Sequence, residues 1–423
     1  MVQQAQPRPH FPKKRLKVFC NERLILANIT IDITSAVHQS AGIGRLTRET
    51  LRALLKHQPN HHLRLFCMGQ SENLELKIEN KNLELSNCSF SIFNSKFTDR
   101  WLHRLWFKAN VPVPVELLGA KRCDLYHATD FVLPPTLPQT KTVLTVHDLT
   151  FERDPDSAVP SLLKFLRRVV PQSAKRADHI IADSFATARD LTELYAIAPE
   201  KITTIHSGVD GQFCAQDDFQ MLTANAKLRK KYNIGDAPFI LTVGTMQRRK
   251  NHLGLVRAFA KFCVQSPIYN LQSLSLAPNL VIAGGKGWLY DEVLDEVKKL
   301  GLNERVKFIG FVDDADLPDL YRAAAVFAFP SLYEGFGLPL LEAMACGVPV
   351  VSSNASSLPE VMGDVGLQIA PTDTDGWAAA LTHAVHNEAW RIDSIRRGLA
   401  RAQQFTWAQS AKQVLKVYEQ VLG

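Results

Sequence analysis

Two stretches of the chain alternate strand-like and helix-like patterns, and this alternation restricts the fold more than any other feature. The first opens with LILANITIDI (24–33) and runs through a helical pattern, IGRLTRETLRALLKH (43–57), to a strand pattern, HLRLFCMG (62–69). After a less regular region come short strand candidates in DLYHATDF, TVLTVHDLTF, HIIADS and TTIHSG, with helical runs between the later ones. The second opens with PFILTVGT (238–245) and continues through NLVIAGG, RVKFIGFV, AVFAFPS, VPVVSS and GLQIA. Apolar, β-branched strands separated by helices build parallel sheets covered on both faces. Two such runs predict an α/β protein with two Rossmann-like, doubly wound domains. The expected layout is a basic tail over 1–23, a first domain over 24–207, a linker over 208–236, a second domain over 237–405 and a last helix over 406–423. The linker is placed where GVDGQFCAQDDFQMLTANAKLRKKYNIGD breaks the alternation. A length of 423 residues fits this division at ~100–200 residues per domain.

The most informative stretch is AVFAFPSLYEGFGLPLLEAMACGVPVVSS, from Ala325. A strand-like run ends at Pro330 and a turn-rich segment follows. Pro339 suits the first turn of a helix, where its missing N–H would have no partner anyway. Gly347 ends that helix, and a second buried strand follows. Glu334 and Glu342 therefore flank a glycine-containing loop at the carboxyl end of a strand, where open α/β sheets bind ligands. A helix start offers free N–H groups and partial positive charge to an anion. Carboxylates accept hydrogen bonds from hydroxyls. A ligand with both a phosphate and many hydroxyls is a nucleotide sugar.

Glu334-GFGLPLL-Glu342 resembles the E-x7-E signature of the family 4 glycosyltransferases, retaining enzymes of the GT-B fold, and the flanking PSLYEGFGLP and EAMACGVPVV strengthen the likeness. The resemblance spans roughly residues 24–420. It implies two domains facing across a cleft, with the donor nucleotide on the second and the acceptor on the first. It also implies that Glu334 lies by the transferred sugar and Glu342 binds the ribose. The backbone of Gly335, Phe336, Gly337 and Leu338 would hold phosphate or sugar oxygens. The last helix would cross back onto the first domain.

Three more segments carry chemistry. In VGTMQRRKN (243–251), Arg249 and Lys250 match a pair that grips the donor diphosphate in the family. A helix start disfavours cations, so their placement there speaks for function over a simple basic turn. Many members carry Arg where this chain has Thr245, whereas a subgroup with bacterial mannosyltransferases has Gly-Thr, so Thr245 is taken as donor-binding. In TVHDLTF (145–151), His147 matches a histidine that reaches the donor sugar from the first domain, and Asp148 would orient its ring or cap the next turn. In Gly42-Ile43-Gly44-Arg45 a glycine loop opens a helix; the resemblance places Gly44, and more weakly Arg45, near donor and acceptor. AGGKGW (283–288) lacks the Ser or Thr of a phosphate-binding P-loop and reads as a structural turn beside the cleft. His57, His61 and His62 have no nearby acid or cysteine and read as solvated. No metal and no cofactor are expected.

The net charge is +7, and +5 of it comes from residues 1–23, with six basic residues against Glu22. That concentration argues against a nucleic-acid-binding protein. Two other basic segments lie in the first half. One carries Lys96, Arg100, Arg104 and Lys108 among Trp101, Trp106 and Phe107; the other is SLLKFLRRVVPQSAKRA (161–177), with a stripe of Leu162, Phe165, Leu166 and Val169. Basic helices with bulky apolar residues suit an anionic membrane surface; the alternative is that the stripes pack inward and the charges face water. The N-terminus shows no secretory pattern, and seven scattered cysteines fit a reducing compartment, so a cytoplasmic site, at the inner face of a membrane, is expected.

The missing G-x-G-x-x-G argues against a nicotinamide-dependent dehydrogenase. The expected protein is a retaining glycosyltransferase that moves a hexose, mannose before others, from a nucleotide-diphosphate sugar such as GDP-mannose to a glycan or lipid-linked acceptor. A catalytically inactive nucleotide-sugar-binding protein and a GT-B epimerase or phosphorylase are the rival readings.

Overall fold

The computed structural model describes residues 27–39, 42–57, 60–69, 90–216, 218–265, 277–287 and 290–423. The basic tail over 1–23 and Trp288 lie outside them.

All strand pairs are parallel. The first sheet contains β1 (Asn28–Asp32), β2 (His62–Cys67), β3 (Phe90–Asn94), β4 (Leu125–Ala128), β5 (Lys141–Val146), β6 (His179–Ala182) and β7 (Ile202–Thr204), in spatial order β3-β2-β1-β4-β5-β6-β7. The second contains β8 (Phe239–Val243), β9 (Asn279–Ala283), β10 (Val306–Gly310), β11 (Val326–Phe329), β12 (Val350–Ser353) and β13 (Leu367–Ile369), ordered β10-β9-β8-β11-β12-β13. Both orders reverse direction beside the first strand of the sheet, which opens a crevice at the carboxyl ends of the strands there. Ile29, Ile31, Leu63 and Leu65 are buried on one side of the first sheet, and Phe66, Tyr126, Leu144 and Val146 on the other.

The helix Trp407–Leu422 returns to the first sheet: Ala411, Val414, Val417 and Tyr418 pack with Ile29, Leu51, Leu54 and Leu55. The Tyr418 hydroxyl lies 2.7 Å from His127 Nδ1. Outgoing and returning chains cross at one point. Val209 N–H donates to Phe405 O at 3.1 Å, and a Cβ on Gly208 would lie 2.1 Å from Trp407 N. Only glycine permits that approach.

The segment 208–236, read from sequence as a linker, is not a plain connection. It contains the helix Asp218–Lys231, and Phe213, Leu228 and Ile234 are buried in the core of the second unit. β3 carries little sequence signal, because FSIFN closes a polar stretch and shows no clear alternation.

The two basic segments of the first half meet. Phe165 stacks on His103 at 5.6 Å and meets Phe107 edge-on at 6.0 Å. Trp106 is buried, its indole N–H donating to Val113 O at 2.8 Å, so this stripe faces partly inward. Trp101 and Leu162 stay 45% and 46% exposed, and Trp101 stacks on exposed Phe97 at 4.5 Å. Among the described residues, no helix is long and apolar enough to cross a membrane.

Candidate active site

The carboxyl ends of both sheets open onto one cleft of about 470 Å³. The first unit contributes Gly42, Ile43, Arg45, His147, Asp148 and Asp183; the second contributes the loops that follow β8, β9, β10 and β11. His147, Arg249, Lys250, Glu334, Glu342, Thr245, Gly335, Phe336, Gly337 and Leu338 all line it. Gly44 does not. A Cβ there would lie 2.2 Å from Gln39 O and 2.7 Å from Ser35 O, so this glycine lets two helices approach, while its neighbours face the cleft. Gly284 and Gly285 line it as well, and a Cβ on Gly284 would lie 2.1 Å from Gly244 O, so the AGGKG and VGTM loops touch backbone to backbone.

β11 ends at Phe329 and the helix Leu338–Ala345 begins after Gly337, whose φ of 108° favours glycine. Between them Glu334 is buried and fully partnered. Lys250 Nζ donates to one carboxylate oxygen at 2.6 Å, Ser331 Oγ donates to the same oxygen at 2.7 Å, and Arg249 Nη1 donates to the other at 2.8 Å. Burial by itself would raise the Glu334 pKa; Lys250 and Arg249 outweigh it and hold the carboxyl down to about 2. The Lys250 pKa is lowered as well, to about 8, because burial opposes its charge and it shares its carboxylate with Arg249. One carboxylate therefore serves two cations, leaving the cluster net positive.

Arg249 and Lys250 sit in a 3-10 turn, Arg248–Lys250, just before the helix His252–Gln265. Asn251 makes the turn possible. It adopts φ 53°, and its amide donates to Pro330 O at 3.1 Å and Pro371 O at 2.7 Å.

His147 is buried at the end of β5. Nδ1–H donates to Asp183 Oδ2 at 2.7 Å and Nε2–H donates to Thr129 O at 2.9 Å. Both partners are acceptors, which requires the doubly protonated ring. Burial pushes its pKa down, but the Asp183 carboxylate prevails and raises it to about 9. Asp148, offered two roles by the sequence, accepts from Thr150 N–H at 2.9 Å and caps the following turn. Asp183 holds the ring; its signal was a carboxylate directly after the buried strand of HIIADS.

Glu342 is buried on the helix Leu338–Ala345. Tyr321 Oη donates to one carboxylate oxygen at 3.0 Å, and Arg45, from the opposite wall, lies 2.9 Å from the other. The walls meet elsewhere too, and Arg248 Nη1 donates to Asp156 Oδ2 at 2.9 Å. Tyr333 Oη donates to Asp190, and Glu360 accepts from the N–H groups of Phe185 and Ala186 at 2.9 and 3.1 Å.

Two parallel α/β units facing across a cleft, with cations and buried carboxylates at their strand ends, define a GT-B glycosyltransferase. The comparisons agree. Residues 40–213 match the family described as Glycosyltransferase Family 4, and residues 224–403 match Glycosyl transferases group 1. O-antigen chain mannosyltransferase B of Escherichia coli is 33% identical over 391 residues, covering 89% of this chain and 96% of that protein. Serotype-specific mannosyltransferase WbdA of Escherichia coli is 30% identical over 93% of this chain, which spans 48% of WbdA. The crystal structure of Anabaena HepE with UDP and glucose superimposes with a TM-score of 0.68 at 20% identity, covering 93% of this chain and all of that one. The chain belongs to the group 1, family 4 glycosyltransferases.

Proposed function

We propose that this glycosyltransferase is a retaining mannosyltransferase, moving mannose from GDP-mannose to a hydroxyl of a glycan or lipid-linked acceptor. The observation that carries the reading is the pairing of Arg249 and Lys250 with Glu334 in the same cleft as Glu342. The names of the two mannosyltransferase relatives support the choice of sugar.

In this reading the diphosphate lies against Arg249 and Lys250, the ribose against Glu342 and the sugar near Glu334 and His147. The acceptor hydroxyl attacks the anomeric carbon on the face from which the diphosphate departs. The bond from sugar carbon to phosphate oxygen breaks, a glycosidic bond forms, and the hydroxyl proton passes to a phosphate oxygen. GDP and the extended glycan leave. The two cations act most strongly in the transition state, where charge grows on the leaving oxygens. His147, donating through both nitrogens, has no lone pair to take that proton. The residues supply the charge stabilisation themselves, and the reading needs no metal or cofactor.

The first unit rests, in the same reading, on an anionic membrane at the cytoplasmic face. The support is the joined face that carries exposed Lys96, Arg100, Arg104, Lys108, Lys164 and Arg168 around Phe97, Trp101 and Leu162.

The test is a panel of GDP-, UDP- and ADP-sugars scored for nucleotide release, with the product's anomeric configuration read by NMR. GDP-mannose should turn over first and give the α-linked product. Preference for UDP-glucose would overturn the donor, and a β-linked product would overturn retention.

A further inference from the structure

Arg45 opens the helix Ile43–Lys56 of the first unit, yet its guanidinium reaches the second. Nη1 lies 2.9 Å from Glu342 Oε1, with the two side chains 19% and 3% exposed. The guanidinium also sits over the Phe213 ring, 5.1 Å from its centroid. Glu342 Oε2 is taken by Tyr321, which belongs to the same unit as Glu342. One oxygen of this carboxylate is thus held from its own wall and the other from across the cleft, in a cavity that both Arg45 and Glu342 line.

We propose that Arg45 is a donor-displaced latch: in the empty enzyme it occupies Glu342, and the ribose hydroxyls bind there as the guanidinium withdraws. The proposal rests on the nucleotide-sugar reading above, which assigns Glu342 to the ribose.

The chemistry is an exchange of donors on one carboxylate. An ionised carboxylate offers about four lone-pair positions. Tyr321 can keep its place while two vicinal hydroxyls bind, but a guanidinium on the cleft side occupies the positions they need. A buried carboxylate with no cation is costly, so the empty enzyme gains from the contact. Burial pushes the Glu342 carboxyl above its ordinary pKa, opposed by Arg45. Once displaced, Arg45 finds a second acid on the same wall, Asp314, within its electrostatic reach. Because latch and carboxylate sit on opposite walls, the empty cleft is drawn shut at its nucleoside end. A ligand that must first break such a contact binds more weakly by the fraction of enzyme still latched.

Calorimetric titration of GDP, UDP and ADP against wild type, Arg45→Met, Glu342→Gln and the double variant tests this. Methionine keeps an apolar stem over Phe213 and removes the charge. Arg45→Met should bind the preferred diphosphate about threefold or more tighter, the direction expected when a competing contact is lost. Glu342→Gln should weaken it, and adding Arg45→Met to Glu342→Gln should change nothing further. If Glu342→Gln weakens binding but Arg45→Met leaves it unchanged or weakens it, the latch is wrong and the nucleotide reading stands. If Glu342→Gln leaves all three diphosphates unaffected, the nucleotide reading falls and takes the latch with it. Should Arg45→Met melt below the assay temperature, Arg45→Lys, which lacks the planar fork, carries the same test with a smaller expected gain.

Discussion

Replacing Gly335 with alanine isolates how much of catalysis depends on the two walls meeting. A Cβ on Gly335 would lie 2.3 Å from His147 O and 3.0 Å from the Asp148 Cβ. Both atoms belong to the loop after β5, on the opposite wall. Gly335 is not among the glycines with positive φ, so alanine fits its backbone and the effect is confined to the contact. Ordinary carbon contacts begin near ~3.5 Å, so the methyl group needs about 1 Å more room. The His147 loop cannot yield alone, because Asp183 and Thr129 hold the ring. The walls themselves must part. A displacement of about 1 Å between reacting groups costs on the order of a hundredfold in rate. Turnover of Gly335→Ala should fall by that order. The melting temperature should change little, because opening relieves the contact without disturbing either core. A variant that kept its rate within about threefold would refute the closed geometry as the catalytic one.

Two other outcomes follow from the same site, and a third from the basic face of the first unit. Lys250→Ala removes a buried donor 2.6 Å from Glu334 and should lower kcat by about a hundredfold, the scale of losing one preorganised donor; a near-normal kcat would remove Lys250 from the leaving-group role. His147 is raised from 6.5 to about 9, so its pair with Asp183 contributes stability fully below pH 6.5 and loses it as pH climbs through about 9. The melting-temperature gap between wild type and Asp183→Asn should accordingly shrink from pH 6 toward pH 10, and a constant gap would contradict the protonated ring. For the membrane face, co-sedimentation with anionic but not neutral vesicles is expected, lost at high salt and weakened by Arg104→Glu with Arg168→Glu; each cation near such a surface contributes ~1 kcal/mol. Arg167 is the poorer target because Glu152 already pairs with it at 3.0 Å.

What the sequence disclosed was local. Glu334, Gly337, Pro339 and Glu342 sit in one strand–turn–helix, where proline and glycine mark the ends and buried strand residues fix the frame. His147 was legible for the same reason, as a polar residue directly after an apolar run. Several partners from other elements were not legible. Nothing near Glu342 in the chain announces Tyr321 or Arg45, and nothing near His147 announces Thr129. The helix Asp218–Lys231 escaped because DFQMLTANAKLRKK carries too few apolar residues in helical register, although Leu228 is buried. Gly44 shows the opposite case: a glycine at a helix start suggests a ligand, and here it lets two helices approach while its neighbours line the cleft.

The charge arrangement explains why such distant partners belong together. Glu334 is the carboxylate bonded to both partly buried cations, with Asp148 only within their electrostatic reach, and burial alone already costs Lys250 part of its basicity. A carboxylate that is fully ionised and held by three donors is a fixed element of the electrostatics. It orients Arg249 and Lys250 before any substrate arrives, so that less reorganisation remains when the diphosphate begins to leave. Because the carboxylate balances only one of the two cations, residual positive charge faces the cleft. Neutralising Glu334 should therefore leave the cations free to move toward solvent and away from each other. The loss should appear in kcat more than in affinity for the free nucleotide diphosphate. A Glu334→Gln enzyme that lost nucleotide affinity and kept its turnover would reverse the division of labour between Glu334 and Glu342.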